Sequence, residues 1–542
     1  MEARRPQALE LGLFALVVAL PLAFTPFTTE PFGDPKLVLL ALGALMLWLA
    51  GASHDKRLAG AVGALVLASA AAAVFGVDPL RSLTDDASGN GFGLIPLACS
   101  AYLVVCGVSL SAKDADRVRR WLAWTGVVVA ALLVTRRFLP SQLGEVGGAG
   151  FIGATLGNEL FAGAFVAAAM PGVALDDSRA RRARFAMLAV MALGLGIAGE
   201  RSSYLLPVVA LAAAGWRGRG GARTTIVAIV WVVAFTLAAG PLTSLAPDEG
   251  RTEGTGVTQF GSAGTDVGRF TVWRVVRRGF SERPLLGWGP DETKSAYIHA
   301  ATPGDLETAT RRWADAHNIV LEVAVTSGVV GLAAFLLLAF GTLRRAFRAP
   351  PRLGWAFGAA ASLAAYHAFE PLNLVLTPLL FLLAGIAGSS LEGRDRAAAG
   401  GGIRRPRRTT GTLLAVALAV SLVLFTASAL EHWGDTYGEP WAYRAALKIE
   451  PWRLSAAEDL AIRLATDGRA GDEDASAEAR SVIGDAVADH PWDPDVRTRA
   501  ADVELLLKDP EAARQWIQRQ IDRFPADIAA LDELERGTES DA

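Results

Sequence analysis

His317 stands at the head of a long apolar run (NIVLEVAVTSGVVGLAAFLLLAF), with Asn318 beside it and Asp315 two positions back. An imidazole titrates at about 6.5 when unperturbed, which suits proton abstraction near neutral pH. Asp315 is near enough to orient one ring nitrogen, and Glu322, deeper in the run, can pair with His317 or Asn318. The competing reading is a structural histidine whose nitrogens are satisfied by neighbours. Upstream, Arg269, Arg274, Arg277 and Arg278 lie on GRFTVWRVVRRGF. At helical spacing Phe270, Trp273, Val276 and Phe280 form an apolar stripe with the arginines on its flanks, the pattern of an interfacial helix. Lipid anchoring alone explains most of that stripe; Arg269, at the helix start, is the best single catalytic-site candidate on it.

Two further cationic positions fall next to apolar runs. Arg201, in GIAGERSSYLLPVV, is costly near a helix centre, about 2.5–3.5 kcal/mol, unless it faces a cavity or a partner. Its planar fork fits phosphate oxygens; a pair with Glu200, or a side chain snorkelling to the interface, is the plainer alternative. Arg136 and Arg137 end another run, as two tolerated surface arginines or as contacts for a lipid-linked phosphate. His367 and Glu370 are weaker candidates for the same chemistry. The sequence carries no phosphate-cradling glycine loop and no HExxH. A reaction on ATP or a nucleotide sugar is therefore not expected, nor is a metal, a cofactor or a nucleic-acid partner.

These residues must be positioned by membrane helices. The chain has 542 residues, is 52% hydrophobic and has a mean hydropathy of +0.33, with the apolar residues clustered in long runs. A spanning helix needs roughly 20 mostly apolar residues. That criterion places spans near 8–26, 36–52, 58–77, 92–111, 121–139, 158–175, 185–199, 201–216, 225–246, 317–341, 355–371, 374–391 and 411–430, about 12–13 in all. The basic N-terminus with no small-x-small cleavage site reads as a first span. Lys+Arg 52 against Asp+Glu 55 is nearly neutral overall, but the basic residues gather in loops on alternate sides of successive spans. The positive-inside tendency then puts 78–91, the large loop 247–316 and the C-terminal tail outside the cytoplasm. Cys99 and Cys106, roughly 10 Å apart along one helix, are too distant for a disulfide and read as packing residues.

After residue 430 the chain becomes charged and loses its long apolar runs. AYRAALKIEPW, ARSVIGDAVADHPWDP and AARQWIQRQIDRFPAD each read as an amphipathic helix ending in a proline turn. Pro451, Pro491 and Pro525 are spaced 40 and 34 residues apart, the second interval being the tetratricopeptide period. The expected architecture is all-α: a transmembrane bundle over 1–430 and a small extracytoplasmic helical-repeat domain over 431–542, with a plain bundle as the alternative. Thr466–Ser476 reads as a flexible insertion.

Several pieces together resemble the O-antigen ligase and O-antigen polymerase superfamily. They are PFGDPKLVLLALGAL, TLGNELFAGAFVAAAMP, GERSSYLLP, GRFTVWRVVRRGFSERPLLGWGPDE and HNIVLEVAVTSGVVGL, in the family's order and covering most of residues 10–390. The tail resembles tetratricopeptide extensions found on some members. The resemblance implies a metal-independent glycosyltransferase of the bacterial inner membrane. It would move a glycan from an undecaprenyl-diphosphate carrier to a lipid or other glycan acceptor, as in lipopolysaccharide and surface-polysaccharide synthesis. It implies that Arg201 and Arg269 hold the diphosphate and that His317 activates the acceptor, with Asn318, Arg136, Arg137, Arg274 and Glu322 as possible support. Membrane lipids are implied partners, with a protein partner on the C-terminal repeats as a further one. A polymerase, a protein glycosylating enzyme, a transporter and a membrane-anchored scaffold are the competing functions.

Overall fold

The computed structural model describes residues 5–51, 55–84, 92–138, 154–176, 178–199, 202–218, 222–239, 264–309, 313–389, 408–493 and 495–524. Among the described residues the chain is helical, with no strand. Each stretch that reads as a span holds a helix. In chain order these are α1 (Arg5–Phe14, continued by a π-helical turn to Leu22), α2 (Asp34–Leu49) and α3 (Lys56–Phe75). The short α4 (Pro79–Leu83) precedes α5 (Leu94–Val108), α6 (Ala112–Phe138), α7 (Glu159–Ala174), α8 (Arg181–Ala198), α9 (Ser202–Arg217) and α10 (Ala222–Ala239). The large loop supplies α11 (Gly264–Glu282), α12 (Thr293–Ala300) and α13 (Pro303–Ala309), and the bundle resumes with α14 (Ile319–Ala346), α15 (Gly354–His367), α16 (Leu376–Ala387) and α17 (Arg408–Tyr437). Among the described residues four helices are long and apolar enough to cross a membrane by themselves: Lys56–Phe75, Ala112–Thr135, Ile319–Ala346 and Arg408–Tyr437. The others are shorter and lie among neighbours.

The bundle is layered around α7, whose residues from Phe161 to Ala174 are all buried; it touches α6, α8, α9 and α15. A helix apolar on every face belongs in a core. Small residues set the closest crossings: Gly107 on α5 and Gly385 on α16 are each within 3 Å of the other helix's backbone at the Cβ position, the means by which helices pack where solvent supplies no hydrophobic drive. The outer helices α3, α14 and α17 instead show bare apolar side chains, among them Leu67, Phe340 and Leu413. That is the surface a bilayer would cover. Cys99 and Cys106 are buried and form no disulfide, as their spacing requires.

The basic loops meet at one end of the bundle. Arg345 pairs with Asp55, Arg217 donates to the carbonyls of Phe347 (2.6 Å) and Ala349 (2.7 Å), and Arg119 bridges to Asp176 at 3.0 Å. The opposite end gathers α4, the loop helices α11–α13 and the C-terminal chain. There Thr29 donates its N–H to Ser428 at 3.1 Å, and Arg453 pairs with Glu431 and Glu450. This segregation agrees with the alternation of basic loops in the sequence.

Beyond α17 come α18 (Pro440–Ile449), α19 (Leu454–Arg469), α20 (Glu473–Asp489), α21 (Val496–Leu506) and α22 (Pro510–Arg523). Each packs on its sequence neighbours around Leu460, Leu464, Ile483, Val496 and Val503. The stretch Thr466–Ser476 is not a flexible insertion: α19 runs through Arg469 and α20 begins at Glu473. The turn is built by Gly471 at φ 110° and by Asp472, whose carboxylate accepts the N–H of Ala475 at 3.0 Å. The polar, acidic composition that suggested mobility is a helix cap with its first turn.

Candidate functional site

The site begins with a break in α14. Gly328 has φ 63° and ψ −169° inside the helix, a conformation essentially confined to glycine. The break frees the carbonyls of Val325 and Thr326 and the N–H groups of Val329 and Val330, which must find partners. The turn Arg283–Asp291 supplies them. Trp288 and Gly289 donate to Val325 and Thr326 (2.9 and 3.0 Å), while Val329 and Val330 donate to Pro284 and Leu285 (2.8 and 3.4 Å). This contact is backbone on backbone. A Cβ on Gly328 would lie 2.2 Å from the Leu285 oxygen, and one on Gly287 would lie 2.5 Å from the Thr326 carbonyl carbon. The glycines of RPLLGWGPDE and TSGVVG are therefore two halves of one joint, which ties the outer part of α14 to the large loop.

At the outer end of α14, Asn318 is the N-cap, accepting the N–H groups of Val320 and Leu321 (2.9 and 3.0 Å). Its amide nitrogen reaches Ala368 O at 2.9 Å, in the turn after α15. His317 has φ 48°, a left-handed conformation that costs a non-glycine residue roughly 1–2 kcal/mol. Several contacts hold it there. Asp315 accepts the His317 N–H at 2.8 Å and also pairs with Nδ1. The Trp313 ring meets the imidazole edge to face at 4.6 Å, and Trp273 Nε1 donates to Ala316 O at 3.1 Å. With Nδ1 occupied by a carboxylate, Nε2 is the nitrogen left to take a proton, the arrangement a histidine base requires.

Glu322 does not pair with His317 or Asn318. Its buried carboxylate accepts from Thr293 Oγ1 (2.6 Å) on α12 and from the Ala316 N–H (2.7 Å), so it braces the backbone behind the histidine. Arg269, 28% exposed at its side chain, pairs with Glu370, in the same turn that receives Asn318. Phe369 of that turn lies 6.2 Å from Trp273. Arg269, Trp273, His317 and Asn318 are thus assembled around residues 368–370.

The helix carrying Arg269 differs from its expected form. Val272, Val275, Val276 and Gly279 face inward, packed against α12, α13 and α14, while Phe270 is 64% exposed. Arg274 and Arg278 both bind Asp305. Burial pushes that carboxyl up, but the hydrogen bonds from Thr302 and the two arginines win and hold it well below the usual carboxylate range. Arg274 is therefore a structural cation of the loop. His367 is also structural: fully buried, it faces Pro371 O at 3.1 Å and Thr377 Oγ1 at 3.3 Å. Arg201 and the side chains of Arg136 and Arg137 lie outside the described residues.

Below the site, an apolar cavity of about 300 Å³ lies between α14, α15 and α16. Ile319 and His367 line its upper end, and Ala346 and Ala387 its lower end. Ile319 follows Asn318, and His367 precedes Ala368, so the cavity opens directly beneath the Asn318–Ala368 contact. Sequence reasoning missed Trp313, the Trp273 indole bond and Glu370 as the partner of Arg269. The W-x-D-x-H spacing of 313–317 was the available signal, since residues two apart in a tight turn can share a face.

A helical bundle with exposed apolar flanks and a polar site at one rim defines a multi-pass membrane protein. Residues 186–336 match the family model described as O-antigen ligase. The match covers less than half the chain, from within α8 to the middle of α14, and includes Arg201, Arg269 and His317. It supports the O-antigen ligase superfamily and an enzyme acting on lipid-linked glycans. No curated protein matches the chain.

Proposed function

We propose that the protein is a surface-polysaccharide ligase of the bacterial inner membrane. It transfers a glycan from undecaprenyl diphosphate to an acceptor hydroxyl or amine, without a metal, at the extracytoplasmic face. The observation that carries this reading is the His317–Asp315 pair standing beside Arg269 at the mouth of an apolar cavity. A polyprenyl chain suits the cavity, and its diphosphate would then emerge beside the 368–370 turn. Arg269 offers five N–H donors; Glu370 fixes one edge and leaves others for phosphate oxygens.

In the transfer, His317 Nε2 accepts the acceptor's proton as the acceptor atom bonds to the anomeric carbon. The bond from that carbon to the diphosphate oxygen breaks, and undecaprenyl diphosphate leaves with the electron pair. Asp315 steadies the imidazolium, and Arg269, with Arg201 as its proposed partner, offsets the charge growing on the leaving group. A positioned base of this kind contributes typically 10²–10⁴-fold.

The test is gel analysis of carrier-linked and surface glycan in a deletion strain complemented with wild type or with His317→Ala. Long carrier-linked chains that never reach the surface are expected in the deletion and in the variant. Accumulation of single repeat units instead would assign a polymerase. Full complementation by a His317→Ala, Arg269→Ala double variant would point to a transporter or scaffold.

A further inference from the structure

The C-terminal helices do not stand apart from the site. The turn between α20 and α21, His490 to Asp495, enters the large loop. Trp492 lies edge-on to Trp288 (5.8 Å) and His299 (5.5 Å), with Arg283 and Arg523 over its ring at 5.9 and 3.8 Å. Phe524, 1% exposed, belongs to the same apolar cluster as Val272, Trp288, Tyr297, Trp313 and Ala316. Aromatic side chains from the end of the chain thus complete the core on which the His317 turn rests.

A charged seam surrounds this contact. His490 Nδ1 meets Asp78 Oδ2 at 2.6 Å. Asp493, 3% exposed, accepts from Arg81 at 2.8 Å and lies 3.6 Å from Lys294, which also binds Asp495 at 2.6 Å. Arg81 in turn approaches Asp291 and Glu292 at 3.8 and 3.9 Å. Asp493 is therefore the anion between two largely buried cations, one on α4 and one on α12. Lys294 follows Thr293, whose hydroxyl binds Glu322, and Glu322 holds the Ala316 N–H directly before His317. One continuous series of contacts runs from the C-terminal turn to the candidate base.

We propose that Asp493 and Trp492 are positioning residues for glycan transfer: the C-terminal helices fix α12, and α12 fixes the turn that presents His317. Removing the Asp493 charge takes away the one anion that Arg81 and Lys294 share; Arg81 keeps Asp291 and Glu292 and Lys294 keeps Asp495, but the contact that ties α4 and α12 to the C-terminal turn is lost and the two cations repel across the gap. The left-handed His317 conformation persists only while its surroundings over-determine it, so a shift of α12 is felt at the imidazole. The transfer step rests on the function proposed above; the mechanical link does not.

The experiment uses the full chain in lipid nanodiscs, with wild type, Asp493→Ala, Asp493→Glu and Trp492→Ala. Backbone hydrogen exchange is read over 293–300 and 313–321, and turnover is read with an undecaprenyl-diphosphate-linked glycan. Asp493→Ala should speed exchange in both segments by about tenfold or more while α7 stays protected, because local opening reports local stability. Its kcat should fall by about 10- to 100-fold with KM for the donor nearly unchanged, Trp492→Ala should behave alike, and Asp493→Glu should recover most of both. Should Asp493→Ala not accumulate in the membrane, Asp493→Asn carries the same comparison. Wild-type exchange in these variants, or faster exchange with undiminished kcat, overturns the proposal. If wild type itself transfers no glycan, the function falls and the exchange data still judge the link.

Discussion

At the scale of single residues, the proposed transfer depends on one imidazole and one guanidinium for which near equivalents should not substitute. His317→Ala should lower transfer by about 10²–10⁴-fold with membrane insertion intact; wild-type product yield from that variant would remove the histidine from the chemistry. Asp315→Asn should also slow turnover, because an amide cannot steady an imidazolium; equal rates across the neutral pH range would show the carboxylate to be a mere cap. For Arg269→Lys a severe loss is expected, since an ammonium cannot hold Glu370 and a diphosphate in fixed directions at once. Near-normal turnover there would favour simple membrane anchoring. The sequence made His317, Asn318, Asp315 and Arg269 legible because each sits at a change of pattern, polar to apolar. It left the role of Glu322 open, because a carboxyl inside a helix can point to several neighbours, and the structure turns it toward Thr293 and Ala316.

At the scale of elements, the helices were legible and their joints were not. Each apolar run picked out by hydropathy holds a helix among the described residues, and four of those helices are long and apolar enough to cross a membrane. Hydropathy could not show that α14 is broken at Gly328, because a glycine in an apolar run looks the same whether it continues or interrupts a helix. Nor could periodicity assign the inward face of α11. The stripe through Phe270, Trp273, Val276 and Phe280 and the face through Val272, Val275, Val276 and Gly279 are neighbours on one cylinder, and only packing selects between them. Two substitutions compare the glycines. Gly328→Ala places a methyl group 2.2 Å from the Leu285 oxygen in a glycine-only conformation and should cost about 2 kcal/mol or more, seen as a lowered melting temperature in detergent. Gly63→Ala, with nothing within 4 Å of the added carbon, should melt at or slightly above the wild-type temperature. Equal melting of the two variants would mean that the joint at Gly328 bears no strain.

At the scale of the whole molecule, the seam between the C-terminal helices and the large loop carries a pH dependence of known sign. Burial alone lowers the His490 pKa, but the hydrogen bond and charge of Asp78 outweigh it against Arg81, with Asp493 adding to the rise, and the net shift is upward. The contribution of the imidazolium is therefore complete below its ordinary value of about 6.5 and fades as pH climbs past the raised one. Burial raises the Asp78 carboxyl, yet His490 and the Arg81 N–H win and hold it low, so its share is lost only as pH falls through that lowered value. Proteolysis of the C-terminal helices should consequently quicken as pH rises above about 6.5, and His490→Gln should flatten that change; a flat profile in wild type would exclude the pair as a latch. The joint at Gly328 has a mechanical consequence as well. Because the helix is interrupted at Gly328 and the loop holds both sides of the break, Val325 and Thr326 above it and Val329 and Val330 below, tilting of the lipid-facing shaft to suit thinner or thicker bilayers is taken up at that joint. Reaction geometry at the rim should then be insulated from lipid chain length, and turnover should vary little across nanodiscs made from short and long acyl chains.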